Sequence, residues 1–158
     1  MSFDSQQFRR ALGRFATGVC VITANPPGHK PFGVTVNSFS SLSLTPPLVL
    51  WSLQKTSDTM DAFATATSYC ANVLAEDQQA LSGRFAKKGD HALEDADYRT
   101  GDAGLPVLHG ALASFECEID ARHDGGDHII LVGKVVAMHA GEPGKPLLYF
   151  DGGYRQIG

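Results

Sequence analysis

Short runs of β-branched and apolar residues, each closed by a cluster of proline, glycine or serine, recur along the chain and constrain its fold more than any other feature. Val19-Cys20-Val21-Ile22-Thr23 ends at Asn25-Pro26-Pro27-Gly28, and a run from Phe32 to Ser38 leads into Ser38-Phe39-Ser40-Ser41-Leu42-Ser43. Leu48 to Leu53 follows the turn Thr45-Pro46-Pro47, and Tyr69 to Leu74 reads as a further strand. Ala111 to Asp120 alternates, Ile129 to Ala137 is a long β-rich run, and His123-Asp124-Gly125-Gly126-Asp127 between them predicts a hairpin. Leu147-Leu148-Tyr149-Phe150 closes the set. Helical spacing is confined to short pieces. Phe8, Leu12 and Phe15 share one helix face, with Asp4 as cap, Gln7 reaching back, Phe3 stapled onto Phe8, and Gly18 as the stop. A second helix is marked by Met60, Phe63 and Ala64, and a third runs from about Asp77 to Phe85. Residues 86–105 are polar and irregular and read as a surface excursion. At least six strands with few, peripheral helices predict a mainly β fold built as a barrel, not a doubly wound parallel sheet.

At 158 residues, the chain reads as a single domain over 1–158, long enough to bury roughly 68–70% of its unfolded surface. With 13 Lys plus Arg against 17 Asp plus Glu, the net charge of −4 gives no basic excess to hold a nucleic acid. Cys20, Cys70 and Cys117 are odd in number and far apart, which predicts reduced thiols and a cytoplasmic setting. No apolar run approaches the roughly 20 residues of a membrane helix. Met1-Ser2-Phe3-Asp4 lacks the basic start of a secretory signal, so no membrane or export role is expected. The dinucleotide fingerprint G-x-G-x-x-G, the Walker phosphate loop, the G-x-S-x-G elbow and H-E-x-x-H are all missing. A classical dehydrogenase, a common hydrolase and a metal centre are therefore unsupported.

Several segments carry chemistry, each with a plainer reading beside it. Gly33 to Ser43 interleaves hydroxyl and amide side chains with apolar ones, a pattern that offers short donors and main-chain amides to a planar heteroaromatic ring. The plain reading is an edge strand and a serine-rich turn. Gln54-Lys55-Thr56-Ser57-Asp58-Thr59 offers hydroxyls, free amides and a cation to a phosphate, although Ser57 or Asp58 as a simple helix cap explains it as well. Asp58 opposes an anion, so Lys55 and Arg84 would have to outweigh it. In Arg84-Phe85-Ala86-Lys87-Lys88-Gly89-Asp90-His91, Phe85 can cover a ring while the lysines face anionic groups; a solvated loop with one anchoring aromatic is the alternative. Gly126-Asp127-His128 projects a histidine from the barrel rim, where a structural role is commoner. Tyr149, Tyr154 and Arg155 can stack on or pair with a ligand, or simply close the last strand.

In their shared order these segments resemble the flavin reductase family that supplies reduced flavin to two-component monooxygenases, the reductases of 4-hydroxyphenylacetate and phenol hydroxylases being the type. The resemblance is carried by Phe15 to Thr23, Gly33 to Ser43 with Pro46-Pro47, Ser57-Asp58-Thr59, Asn72-Val73-Leu74, Arg84-Phe85-Ala86, Gly126-Asp127-His128, and Leu147 to Phe150 with Tyr154. It implies a split β-barrel FMN-binding fold of Greek-key type, and a homodimer binding FMN or FAD at the subunit interface. NADH or NADPH would be the co-substrate, and a monooxygenase component would receive reduced flavin by diffusion. On this resemblance Thr35, Val36, Asn37 and Ser38 line the isoalloxazine, largely through the main chain. Ser41, Ser52, Lys55, Ser57 and Thr59 contact the ribityl chain and phosphate, and Phe85 packs near the flavin. His128 and Tyr154 help seat the nicotinamide. No dedicated catalytic acid or base is implied, because the hydride passes between two cofactors. Two other readings stand beside it: a split-barrel flavoprotein oxidase that keeps its FMN, and a non-catalytic flavin- or haem-binding protein, against which the lack of an axial-ligand motif counts.

Overall fold

The structure, a computed structural model, describes residues 2–158. Helix α1 (Ser5–Leu12) is followed by strands β1 (Thr17–Gly18), β2 (Cys20–Ala24), β3 (Phe32–Val36), β4 (Ser40–Ser43) and β5 (Leu48–Gln54). Helix α2 (Met60–Thr65), β6 (Ser68–Val73) and α3 (Gln79–Ala86) come next, and then β7 (Tyr98–Thr100) and β8 (Pro106–Leu108). The chain ends with β9 (Ala113–Gly125), β10 (His128–Ala140), β11 (Leu148–Phe150) and β12 (Gly153–Arg155). Seven strands form one sheet in the order β3-β2-β6-β9-β10-β5-β4, every neighbour antiparallel.

Alternation along these strands turns one face of six of them towards a main core, with two smaller buried clusters outside it. Ile22, Phe32, Trp51, Tyr69, Cys117 and Leu131, from six different strands, meet there with Phe63 of α2. The Trp51 ring stands edge-on to Phe63 at 5.0 Å and to Tyr69 at 5.7 Å. β3 at one end of the sheet and β5 next to the other end therefore share one core, as the mainly β barrel reading requires. The hydrogen-bonded ladder nevertheless stays open between β3 and β4. The outer side of β3 is occupied at its start by the 91–93 segment: Gly33 N donates to His91 O at 3.0 Å and Leu93 N to Pro31 O at 2.8 Å. Close approach inside the core fixes one glycine. A Cβ at Gly133 would lie 2.7 Å from Tyr69 Cζ and 2.9 Å from Cys117 Cβ.

Several boundaries differ from the sequence reading. Helix α1 has its Asp4 cap, with Oδ1 accepting from Gln6 N at 3.0 Å, and its Phe3–Phe8 stack at 6.0 Å. It stops at Gly13, not Gly18, because Thr17–Gly18 is drawn into a ladder with β11. Ser40–Ser43 pairs with β5 as an edge strand instead of forming a turn. The long hairpin runs further than its sequence suggested, to a turn at Gly126-Asp127 where Gly126 has φ +75°. The 86–105 excursion is not merely superficial, since Leu105, Val107 and Leu108 are buried and β7 pairs with β8. Two buried polar side chains hold it down. Asn72 Oδ1 accepts from Leu108 N at 3.1 Å and from Ser114 Oγ at 2.8 Å. Glu116 accepts from Ala103 N at 3.0 Å and Leu105 N at 3.2 Å, and its other oxygen meets His139 Nε2 at 2.7 Å. All three cysteines are free and buried, and burial pushes the Cys20 and Cys117 thiols up to about 12, so neither is a nucleophile. Among the described residues, no helix is long and apolar enough to cross a membrane.

Candidate active site

A cleft of about 300 Å³ opens where the sheet fails to close. Its walls are Val34–Ser38 at the end of β3, Ser52–Gln54 at the end of β5, the Thr56–Asp58 loop, and Phe85–Lys88 with His91 where α3 gives way to the excursion. His128, the first residue of β10, completes the rim. The register explains its place, because His128 is paired with Gln54 and Lys55 N donates to Asp127 O at 2.9 Å.

Along the β3 side the hydroxyls are already committed. Thr35 Oγ1 donates to Ser82 O at 2.7 Å. Ser38 Oγ accepts from Ser52 N at 3.0 Å and lies 3.2 Å from Ser52 O, tying the exit of β3 to β5. What β3 offers a ligand is therefore chiefly its main chain, since among the described residues no strand pairs with its outer side beyond the Phe32–Ala92 bridge. At the other end, Ser57 Oγ accepts from Thr59 N at 3.2 Å and shares a hydrogen bond of 2.9 Å with Thr59 Oγ1. Thr59 is buried and lies behind the wall.

Thr35, Val36, Asn37, Ser38, Ser52, Ser57, Phe85 and His128 all border the cleft; Ser41, Lys55, Thr59 and Tyr154 do not. Phe85 borders the cleft from within the core, fully buried close to Gly33. Ser41 is exposed on β4. Lys55 is drawn aside by Asp124, whose carboxyl it holds below the usual carboxylate range. Arg84 is also diverted. Its guanidinium forms a two-pronged pair with Asp97 and stands 4.6 Å over the Phe85 ring. The cations that do face the cleft are Lys87 and Lys88, with His91 beside them. The sequence signal for them was the basic pair following Arg84-Phe85. Tyr154 instead borders an adjoining hollow of about 260 Å³ that shares Thr35, Val36 and Asn37 with the cleft. Its hydroxyl bonds Ser82 Oγ at 2.6 Å and its ring stands edge-on to Tyr149 at 5.6 Å.

This arrangement suits a ligand that carries both a flat polar ring and an anionic group. The cleft brings together the unpaired outer side of β3, the hydroxyl side chains of Ser52, Thr56 and Ser57, and the two lysines. Among the described residues, no serine or cysteine of the cleft is hydrogen-bonded to a histidine, and no cluster of side chains is placed to hold a metal ion. Asp127 hydrogen-bonds His128 Nδ1 at 2.6 Å, and that bond holds its carboxyl below the usual range.

The flavin reductase like domain family matches residues 12–158. The FMN reductase (NADH) SmoA of Agrobacterium fabrum is 49% identical over 151 residues, covering 96% of this chain and 85% of its own. The flavin-dependent monooxygenase reductase subunit HsaB of Rhodococcus jostii is 38% identical over 156 residues, covering 99% and 80%. Among solved structures, the NADH:FAD oxidoreductase SgcE6 of Streptomyces globisporus C-1027, in complex with NAD and FAD fragments, superposes with a TM-score of 0.91. It is 33% identical, with 98% of this chain and 93% of that one covered.

Proposed function

The chain belongs to the flavin reductase like domain family, and from that premise we propose that it is an NAD(P)H:flavin oxidoreductase whose reduced flavin serves a partner monooxygenase. The observation that carries this reading is the cleft at the open edge of β3, whose donor set fits a flavin. A main-chain edge at Thr35–Asn37 matches the alternating donors and acceptors of an isoalloxazine rim. Ser52, Thr56 and Ser57 match a polyhydroxyl chain, and Lys87 and Lys88 match a phosphate. When bound, the flavin supplies the hydride-accepting centre, and NADH or NADPH the hydride.

The protein's own residues then bind, orient and shield. Ser38, locked to Ser52, fixes the end of β3 and with it the main-chain edge that orients the ring. Amides on that edge are placed to stabilise negative charge developing on a reduced ring. His128, tethered by Asp127 at the rim, and Tyr154, tethered by Ser82 in the adjoining hollow, help seat the nicotinamide. The Ser38 and Ser57 hydroxyls are held in structural hydrogen bonds, and hydride transfer between two cofactors asks no dedicated acid or base of the site.

The whole chain acts as one split-barrel unit, in the cytoplasm and as a homodimer. Support for the dimer comes from α1, which buries none of its residues, and from the exposed side chains of Phe15, Leu44 and Met138. Release of reduced flavin by diffusion is consistent with a cleft open to solvent and with the absence of the deep dinucleotide fold.

The test crosses FMN and FAD with NADH and NADPH in a steady-state assay of nicotinamide oxidation. The expected outcome is turnover that depends on added flavin. No flavin-stimulated oxidation in any of the combinations would overturn the reading, and tightly retained flavin with poor NADH turnover would favour an oxidase.

A further inference from the structure

From sequence, Asp58 is a negative charge set beside an expected phosphate. In the structure Asp58 borders the cleft, and one oxygen of its carboxylate is engaged by the loop that follows α3. Asp58 Oδ2 accepts from Gly89 N at 2.9 Å and lies 3.7 Å from His91 Nε2. His91 Nδ1 in turn meets Gly33 O at 3.0 Å, while His91 O accepts from Gly33 N at 3.0 Å. The loop after α3 is therefore fixed at one end to the Thr56–Asp58 loop and at the other to β3. It turns at Gly89, whose φ of +109° is open to glycine and strained for other residues. Lys87 and Lys88, immediately before that fixed point, border the cleft together with Thr56 and Ser57.

We propose that Asp58 and His91 form a strut that positions the Lys87-Lys88 loop across the anionic end of the cleft, and so sets the preference for a phosphorylated flavin over riboflavin. The inference rests on the reductase reading of this cleft and deepens it. Two effects act in the same direction. Lys87 and Lys88 are exposed and have many rotamers, so a loop freed from the strut must lose more conformational entropy before either lysine meets a phosphate. The strut also gives the Asp58 carboxylate a hydrogen-bond donor in Gly89 N, which offsets part of its repulsion of an anion nearby. Riboflavin lacks the phosphate, so its affinity is indifferent to both. Asp58 and His91 are positioning residues that act through Lys87 and Lys88.

The test measures Kd for FMN and for riboflavin by quenching of flavin fluorescence, and it reads the ratio of the two. The native chain is expected to bind FMN more tightly. Asp58→Ala is expected to cut that preference by about tenfold, the size of a lost charge-assisted contact. Asp58→Asn, which still accepts from Gly89 N, should retain more of the preference, and Lys87→Gln with Lys88→Gln should lose as much as Asp58→Ala. If Asp58→Ala does not fold, His91→Gln is expected to move the ratio in the same direction. Weakening of both flavins alike overturns the proposal, as does an unchanged ratio in Asp58→Ala, His91→Gln or the lysine pair. A rise in FMN preference on removing Asp58, as simple relief of charge repulsion would give, also overturns it. A native chain that binds neither flavin would instead bring down the reductase reading itself.

Discussion

His128 shows how a residue acquires a place in a site from its position in a ladder. As the first residue of β10 it is paired across the sheet with Gln54, at the end of the strand that forms one wall of the cleft. Its ring is held by Asp127 and is partly open to solvent. A side chain so placed can touch a co-substrate entering from outside without touching a ring seated along β3. His128→Ala is therefore expected to raise the KM for the nicotinamide by about fivefold, the loss of one contact of about 1 kcal/mol, with a smaller effect on the KM for flavin. Steady-state kinetics with each substrate varied in turn checks this, and an unchanged nicotinamide KM removes His128 from the site. Residues such as Thr35 to Ser38 were legible because they lie together on one strand and its exit. Lys55 was not. Its partner Asp124 lies 69 positions away in sequence, and only the folded hairpin brings the two together. Arg84 was hidden for the same reason, its partner Asp97 lying beyond an irregular loop.

At the scale of elements, the pairing of Arg84 with Asp97 fastens α3 to the excursion that covers one side of the sheet. Arg84 hydrogen-bonds both oxygens of Asp97 and, with the backbone N–H of Glu94, holds its carboxyl below the usual carboxylate range. A depressed folded-state value means the contribution is fully present above the unfolded value of about 3.9, and is lost as pH falls through the folded one. Asp97→Asn should lower Tm at neutral pH by about 2–4 °C, the shift given by ~1 kcal/mol in a chain of this size. The partly exposed guanidinium keeps the pair towards the surface range. Thermal melting of both proteins at neutral pH and again near pH 3 checks this. The gap between them should narrow in acid, and a gap that widens would contradict the linkage. The longer strands were legible because β-branched runs ended by proline and glycine have no helical alternative. Short β7, β8 and β12 were not, because pairing over three residues is decided by the neighbour that offers a register. The helical spacing of Phe8, Leu12 and Phe15 marks a face, but spacing alone does not say what that face meets.

At the scale of the whole molecule, those three side chains stay largely uncovered, Phe8 meeting only the Phe3 ring among the aromatic stacks. Phe8, Leu12 and Phe15 are 53%, 57% and 78% exposed, although the helix carrying them is capped and stapled as if built to last. An isolated helix of eight residues is marginal in water, and packing of its apolar face is what usually sustains one. Apolar side chains are also exposed elsewhere, at Met138 on β10, 69% exposed, and at Leu44 beyond β4, 94% exposed. A second copy of the chain would cover such surfaces, and the stable interfaces of homodimers bury about 1,600 Å² or more. β4 also flanks the open side of the sheet on which the cleft lies, so dimerisation and flavin affinity should be linked. Leu12→Glu combined with Met138→Glu places charges at two exposed apolar positions without touching the core, and should shift the protein from dimer to monomer. Light scattering coupled to gel filtration reads the first effect, and FMN titration of the same fractions reads the second, with about tenfold weaker binding expected of the monomer. A native chain that elutes as a monomer at all concentrations would overturn the dimer. A monomeric variant that binds FMN as tightly as the native chain would show that each subunit carries its cleft complete.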